Sequence, residues 1–167
     1  MLHVTDQDPG CLHLPHGIVR FPIEWKPGAG FRAEDLSTWP EVDGRLEFAE
    51  GRLQYMPPCG GIQQDVASDV TAELHRWVRE HPDFILGSNE AGMLLNGEVR
   101  AADAAIWRLN AGHPSGFRRI APVLAVEVAG EEETEALLRD KASWYLAAGV
   151  SVVWLVLPAS REILVVI

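Results

Sequence analysis

Short apolar runs alternate with two stretches of helical periodicity, and this order leaves few architectures open. Ile62, Val66, Val70, Leu74 and Trp77/Val78 recur every three to four residues, the spacing of an apolar stripe on a helix of roughly 18 residues. Pro57-Pro58-Cys59-Gly60-Gly61 precedes this stretch and Pro82 closes it, because proline lacks the N–H that a helix interior needs. A second helix is expected from near Thr134 to Ala148, capped by Thr134 and stopped by Gly149. Around the helices lie strand-length runs. Leu46–Met56 reads as two strands turned at Glu50-Gly51, and residues 84–88 and 92–96 as two more before the turn pair Asn96-Gly97. Ala101–Arg108, Pro122–Val128, Val150–Leu157 and Glu162–Ile167 complete the set. The order strands, helix, strands, helix, strands predicts an α/β or α+β domain, a mixed β-sheet flanked by helices.

The 167 residues fit one domain. Residues 1–31, rich in Pro, Gly and His, are expected to form an extended arm with a short strand near Ile18–Ile23, and residues 32–167 the domain itself. Residues 33–40 suggest a short helix ended by Pro40. The stop inside the apolar run Glu162–Ile167 suggests a domain truncated at its C-terminus, or an edge strand paired with something else. No apolar run reaches the ~18–20 residues that span a bilayer, so no membrane partner is expected. The start MLHVTDQDPG lacks the basic and apolar regions of a secretory signal. Cys11 and Cys59 form no CxxC pair, which argues against a thiolate zinc site and for a reducing cytoplasm. His3, His13, His16, His75, His81 and His113 are scattered, the first three in the arm and His75 and His81 six apart rather than on one helix face, and no GxSxG, P-loop or GxGxxG occurs.

Polar residues that break the apolar runs carry the chemical signal. Glu127 follows four apolar residues in LAVEV, Asp103 sits inside AADAAIW, and Glu47 lies between Leu46 and Phe48. An ionised carboxylate in a buried strand is costly unless it is paired or binds a cation. Three of them could converge on a hard cation such as Mg²⁺, which takes oxygen ligands. Alone, Asp103 reads equally well as a sheet-edge or solvated residue, and Glu47, beside a turn, reads better as one; Glu127, with apolar residues on both sides, fits that reading least. Of 14 basic residues only Lys26 and Lys141 are lysines. Lys141 shares a helical stripe with Thr134, Leu138, Tyr145 and Ala148, a mostly apolar stripe that should face the sheet. Glu131–Glu135 reads as a solvated loop and helix start.

These segments, taken in order, resemble the Uma2 family of restriction-endonuclease-like proteins, within the PD-(D/E)XK nuclease superfamily. The resemblance rests on Leu46-Glu47-Phe48-Ala49-Glu50-Gly51-Arg52-Leu53, Met56-Pro57-Pro58, Val99–Asp103, Pro122–Val128, Lys141, Tyr145, Ala148-Gly149-Val150 and Trp154-Leu155-Val156. It implies that Asp103 and Glu127, with Glu47, bind a divalent metal, Mg²⁺ or Mn²⁺, helped by a backbone carbonyl near Val128. It also implies that Lys141 acts on the attacking water and the phosphate. In this family the lysine lies on the helix after the glutamate, as Lys141 does here. The chain departs from the family pattern at Ala102, where proline is usual, at Gln63, where histidine is common, at Leu137 and at Gly130-Glu131-Glu132.

The implied activity is metal-dependent endonucleolytic hydrolysis of nucleic acid, with DNA as the expected partner and a homodimer suited to cutting both strands. Arg100, Arg108, Arg118 and Arg119 are the expected contacts to the nucleic-acid backbone. The net charge of −10 opposes tight coating of nucleic acid and predicts salt-sensitive binding. It equally suits the competing reading, a nuclease-fold protein that binds or assembles without cleaving.

Overall fold

Two tight turns set the sheet. Glu50 and Gly51 take φ values of 53° and 72°, and Asn96 and Gly97 values of 52° and 82°. Left-handed dihedrals at both turn residues give the twist that two-residue hairpins need. The first turn joins β2 (Arg45–Ala49) to β3 (Arg52–Met56), and the second joins β4 (Phe84–Leu95) to β5 (Glu98–Arg108). The computed structural model describes residues 21–111, 116–131 and 133–167. The readings placed on Ile18–Arg20, Cys11, His3, His13, His16, His113 and Glu132 lie outside these residues.

The remaining elements are β1 (Ile23–Trp25), α1 (Gly61–Glu80), β6 (Leu124–Val128), α2 (Glu135–Ala147), β7 (Val152–Leu157) and β8 (Glu162–Val166). They form an eight-stranded sheet in the order β1-β3-β2-β5-β6-β7-β8, with β4 added to β5. The pair β6–β7 is parallel and crosses over through α2, and the other strand pairs are antiparallel. This is the expected mixed sheet flanked by helices. Thr134 caps α2 by accepting from Leu137 N, and Gly149 leaves the helix at φ 95°.

Three local expectations change. The two strands predicted at 84–88 and 92–96 are one strand, β4, because a bulge between Ser88 and Ala91 lets both halves stay paired to β5. Residues 33–40 make only a single 3₁₀ turn, Leu36–Thr38, capped by the Asp35 carboxylate on Ser37 N. The α1 stripe holds at Val66, Val70, Leu74 and Val78, but at its ends Ile62 and Trp77 are exposed, and Gln63 is buried in place of Ile62.

The core lies on both faces of the sheet. Met93, Trp107, Ala125, Val153 and Leu155 pack under α2 with Leu138, Ala142 and Tyr145. Ala104, Ile106, Val126, Val128 and Val156 pack on the α1 side with Leu74. Every residue of β6 is buried, as expected for a strand covered on both sides. Packing is tight where β4 passes Trp107, since a Cβ on Gly87 would lie 2.7 Å from Trp107 Cζ3. Gly87→Ala is expected to cost about 1–3 kcal/mol through overpacking, read as a lower urea midpoint at unchanged m-value. A neutral result would mean that Trp107 has room to shift.

Candidate active site at the fork of the sheet

The site arises where the sheet opens. One edge of β5 pairs with β4. The other edge pairs with β2 only at Val99–Phe48 and with β6 only at Ala104–Ile106. Between these contacts β2 and β6 part like a fork, and residues 100–103 lose their ladder partners on that edge. Buried backbone groups must still be satisfied, and side chains replace the missing strand. Ala101 N donates to Glu47 Oε1 at 3.1 Å, and Ala101 O accepts from Lys141 Nζ at 3.1 Å. Val128 N donates to Asp103 Oδ2 at 2.7 Å.

Lys141 reaches the fork from α2 and bridges two carboxylates. Its Nζ lies 2.9 Å from Glu127 Oε2 and 3.4 Å from Glu47 Oε1. The other oxygen of Glu127 accepts from Tyr145 Oη at 2.6 Å. Lys141 and Tyr145 stand one helical turn apart on the face of α2 that meets the sheet, and Tyr145 is fully buried. The structure thus brings Glu47, Asp103, Glu127 and Lys141 together, four residues drawn from four different elements.

Burial dominates the proton affinities. It pushes the Glu127 carboxyl up to about 8 despite the pull of Lys141. It raises Asp103 as well, opposed by the Val128 N–H and by Lys141. Burial works against the Lys141 charge, but Glu127 and Glu47 outweigh it and hold the ammonium above the usual lysine range. Tyr145 is raised by burial and by Glu127.

The raised Glu127 sets a pH dependence in metal-free protein. Below pH 4.5 both native and unfolded chains carry this proton; from 4.5 to about 8 only the native chain does. Stability therefore falls across that window. Glu127→Gln, which cannot ionise, is expected to gain stability relative to wild type between pH 4.5 and 8, with a flat difference outside the window. Urea titrations in EDTA across this range test it; a difference constant with pH would contradict the raised carboxyl.

Sequence reasoning missed two groups. Arg45, two residues before Glu47 on the same face of β2, pairs with Glu90 at 2.7 Å. Glu90 reaches it from the β4 bulge, where Asn89 and Glu90 are both left-handed, with φ of 57° and 61°. Two such non-glycine residues cost roughly 1–2 kcal/mol each. Gln63 was read only as a departure from the family pattern; it is buried and donates from Nε2 to Val128 O at 2.9 Å. The Val128 carbonyl thus accepts one hydrogen bond, which leaves its second lone pair for another partner. The signal for Gln63 was its spacing, since it continues the stripe Val66, Val70, Leu74 one turn back. Nothing in the sequence pointed to the meeting of Arg45 with Glu90.

Arg100 lies over the Trp144 ring at 4.8 Å and beside Glu98, and Arg108 lies over Phe84 at 5.3 Å. Arg118 covers Trp107 at 4.6 Å, and Arg119 is exposed. Glu133, expected in a solvated loop, is partly buried and accepts from Gly130 N at 2.8 Å.

Glu47, Glu90, Asp103 and Glu127 against Arg45 and Lys141 leave a formal charge of −2 when all are ionised. The donors are oxygens only, the chemistry that hard divalent cations take. Among the described residues no three His, Cys, Asp or Glu side chains are gathered for direct ligation. A Mg²⁺ site, however, needs only one or two carboxylates, because the ion keeps several waters. Asp103 and Glu127, linked through the Val128 peptide, meet that requirement.

Among solved structures, this fold matches a crystal structure described as "a putative nuclease belonging to DUF820" from Anabaena variabilis ATCC 29413. The TM-score is 0.71 at 15% identity, with 81% of this chain and 79% of that chain covered. No curated protein matches the sequence. The Uma2 family model, described as "Putative restriction endonuclease", matches residues 33–166. That span contains both helices, the fork and every carboxylate around it, and the chain belongs to the Uma2 family.

Proposed function

We propose that this protein is a divalent-metal-dependent endonuclease that hydrolyses phosphodiester bonds in nucleic acid, with duplex DNA as the substrate. The observation that carries this reading is the Lys141 ammonium held between Glu127 and Glu47 at the fork, with Asp103 anchored beside them on Val128 N. Asp103 and Glu127, with Glu47 alongside, would hold Mg²⁺ or Mn²⁺, which when bound polarises the phosphodiester and lowers the pKa of water.

The protein's own groups do the rest. Lys141 orients the attacking water and donates to the phosphate oxygens as negative charge builds on them. Lysine suits this work: it is a compact cation whose three donors turn freely, unlike arginine's fixed plane. Tyr145 fixes one oxygen of Glu127 and so decides where the other points. Asp103 and Gln63 grip the N–H and the C=O of Val128, which keeps the strand end bearing Glu127 in place. Glu127 releases its proton when it takes a cation, so occupancy rises with pH towards about 8. Duplex cleavage needs two cuts, and a homodimer supplies two sites.

One observation favours a second reading, a nuclease-fold protein that binds without cleaving: Gln63, where the family commonly has histidine, spends its amide on the Val128 carbonyl. Purified protein is expected to cut duplex DNA in Mg²⁺ or Mn²⁺ and to be silent in EDTA. Calorimetry with Mn²⁺ accompanies the assay. No cleavage of duplex, single-stranded or RNA substrates, together with no Mn²⁺ binding at millimolar concentration, would sink the nuclease reading and leave the second.

A further inference from the structure

Arg45 and Glu90 have a geometry that a purely structural ion pair does not need. The guanidinium offers five donors, yet among the described residues it makes one hydrogen bond, Nη1 to Glu90 Oε1 at 2.7 Å. Among the described residues its buried Nε has no hydrogen-bond partner. A pair built for stability would be bidentate, with two parallel N–H···O bonds. Glu90 also reaches Arg45 only through two consecutive left-handed residues in the β4 bulge. Bulges of this kind re-aim side chains next to active sites, and the register places this one opposite Asp103, between Ser88↔Ala104 and Ala91↔Ala102. The pair is open to solvent: the side chains are 24% and 32% exposed. A ligand at the fork can reach it.

We infer that Arg45 is a phosphate-binding residue of this site, held by Glu90 until the backbone of a nucleic acid takes the guanidinium over. The inference rests on the nuclease reading and adds to it the group that receives the substrate phosphate. Arg45 lies on the same face of β2 as Glu47, so a phosphate bound to it stands beside the carboxylates. Leaving Glu90 gives up one hydrogen bond. The planar fork then makes two to phosphate oxygens, and Nε gains the acceptor it lacks. Glu90, partly exposed, returns to water.

Glu90 thus competes with the substrate for Arg45, and the two residues should act in opposite directions on binding. The test is fluorescence anisotropy with labelled duplex DNA, single-stranded DNA and an RNA hairpin in EDTA, where no cation-dependent cleavage intervenes. Arg45→Met is expected to weaken binding of the best probe about 10–100-fold and to lower the salt slope by about 1. Arg45→Lys, which keeps the charge but loses the fork, should fall between. Glu90→Gln should tighten binding by about threefold or more. Thermal unfolding identifies a variant that fails to fold, and Arg45→Lys then carries the test. Binding within twofold of wild type for the arginine variants, or weakening by Glu90→Gln, overturns the inference and leaves the nuclease reading standing. Wild-type protein that binds none of the three probes overturns the inference, and the cleavage assay in Mg²⁺ or Mn²⁺ decides the nuclease reading separately.

Discussion

Replacing Asp103 by asparagine is expected to lower cleavage at least about a thousandfold, the loss of several kcal/mol of metal-assisted stabilisation. The same change is expected to leave stability within about 1 kcal/mol of wild type. The two outcomes separate because Asp103 has two tasks. One is structural: Oδ2 accepts from Val128 N at 2.7 Å and closes a gap that no strand fills. Asparagine keeps an acceptor oxygen in the same place. The other task is charge, which asparagine lacks. Asp103→Ala is the control, since it strips the acceptor as well. It leaves the buried Val128 N–H without a partner, which costs about 1–3 kcal/mol. Supercoiled-plasmid cleavage and urea unfolding of the three proteins decide the matter. Cleavage surviving in Asp103→Asn would remove this residue from the site and with it the metal assignment. Equal loss of stability in both variants would mean that the charge, not the acceptor, holds Val128.

The fold was largely legible because its signals are local. Apolar stretches such as LAVEV and VSVVWLVL demand burial, Asn96-Gly97 demands a turn, and Thr134 and Gly149 mark the ends of a helix. What escaped depended on partners distant in sequence. Phe84–Leu95 read as two strands because Asn89-Glu90 looks like a break; only the pairing of both halves with β5 makes it one strand with a bulge. At the start of α1 the sequence favours Ile62 over Gln63 for burial, because Ile62 is the more apolar. The carbonyl of Val128, 65 residues away, reverses that preference by offering Gln63 a buried hydrogen bond.

The candidate site divides in the same way. Glu47, Asp103, Glu127 and Lys141 stood out because each interrupts an apolar pattern, and such a residue carries its own cost of burial. Those four meet at the fork. Arg45 and Glu90 interrupt nothing. One begins a strand and the other follows an asparagine in an apparent turn, so their pairing across 45 residues left no mark in composition or spacing. The arginines chosen for local positive charge have a second use that spacing does not show. Arg100 and Arg108 each lie over an aromatic ring, a use of the guanidinium plane that charge counting cannot distinguish from phosphate binding.

Lys141→Met is the more severe test, because the ammonium serves both the chemistry and the fold. Methionine keeps most of the side-chain length and volume, so packing under α2 changes little. The charge is another matter. Glu127 is buried and Glu47 nearly so, and both rely on this one ammonium, as does Ala101 O. Removing one partner of a buried pair costs about 3–5 kcal/mol when the other stays charged. Glu127 softens that cost by keeping its proton up to about 8. The pH dependence follows. In wild type, Glu127 ionises in the native state above about pH 8, helped by Lys141, and the loss of stability with pH ends there. In Lys141→Met its folded pKa is higher still, so the native chain keeps binding the proton and continues to lose stability above pH 8. The variant's deficit should therefore be roughly constant from pH 5 to 7 and widen from pH 8 to 9. Cleavage should fall by about 10²–10³-fold or more, the usual cost of removing a donor aimed at developing charge. Lys141→Arg should restore part of the stability but little of the cleavage, because its planar fork presents donors in a fixed geometry. A Lys141→Arg variant cleaving like wild type would reduce the ammonium to a counter-ion for Glu47 and Glu127. A deficit that narrows above pH 8 would show that Glu127 does not depend on Lys141 for its charge.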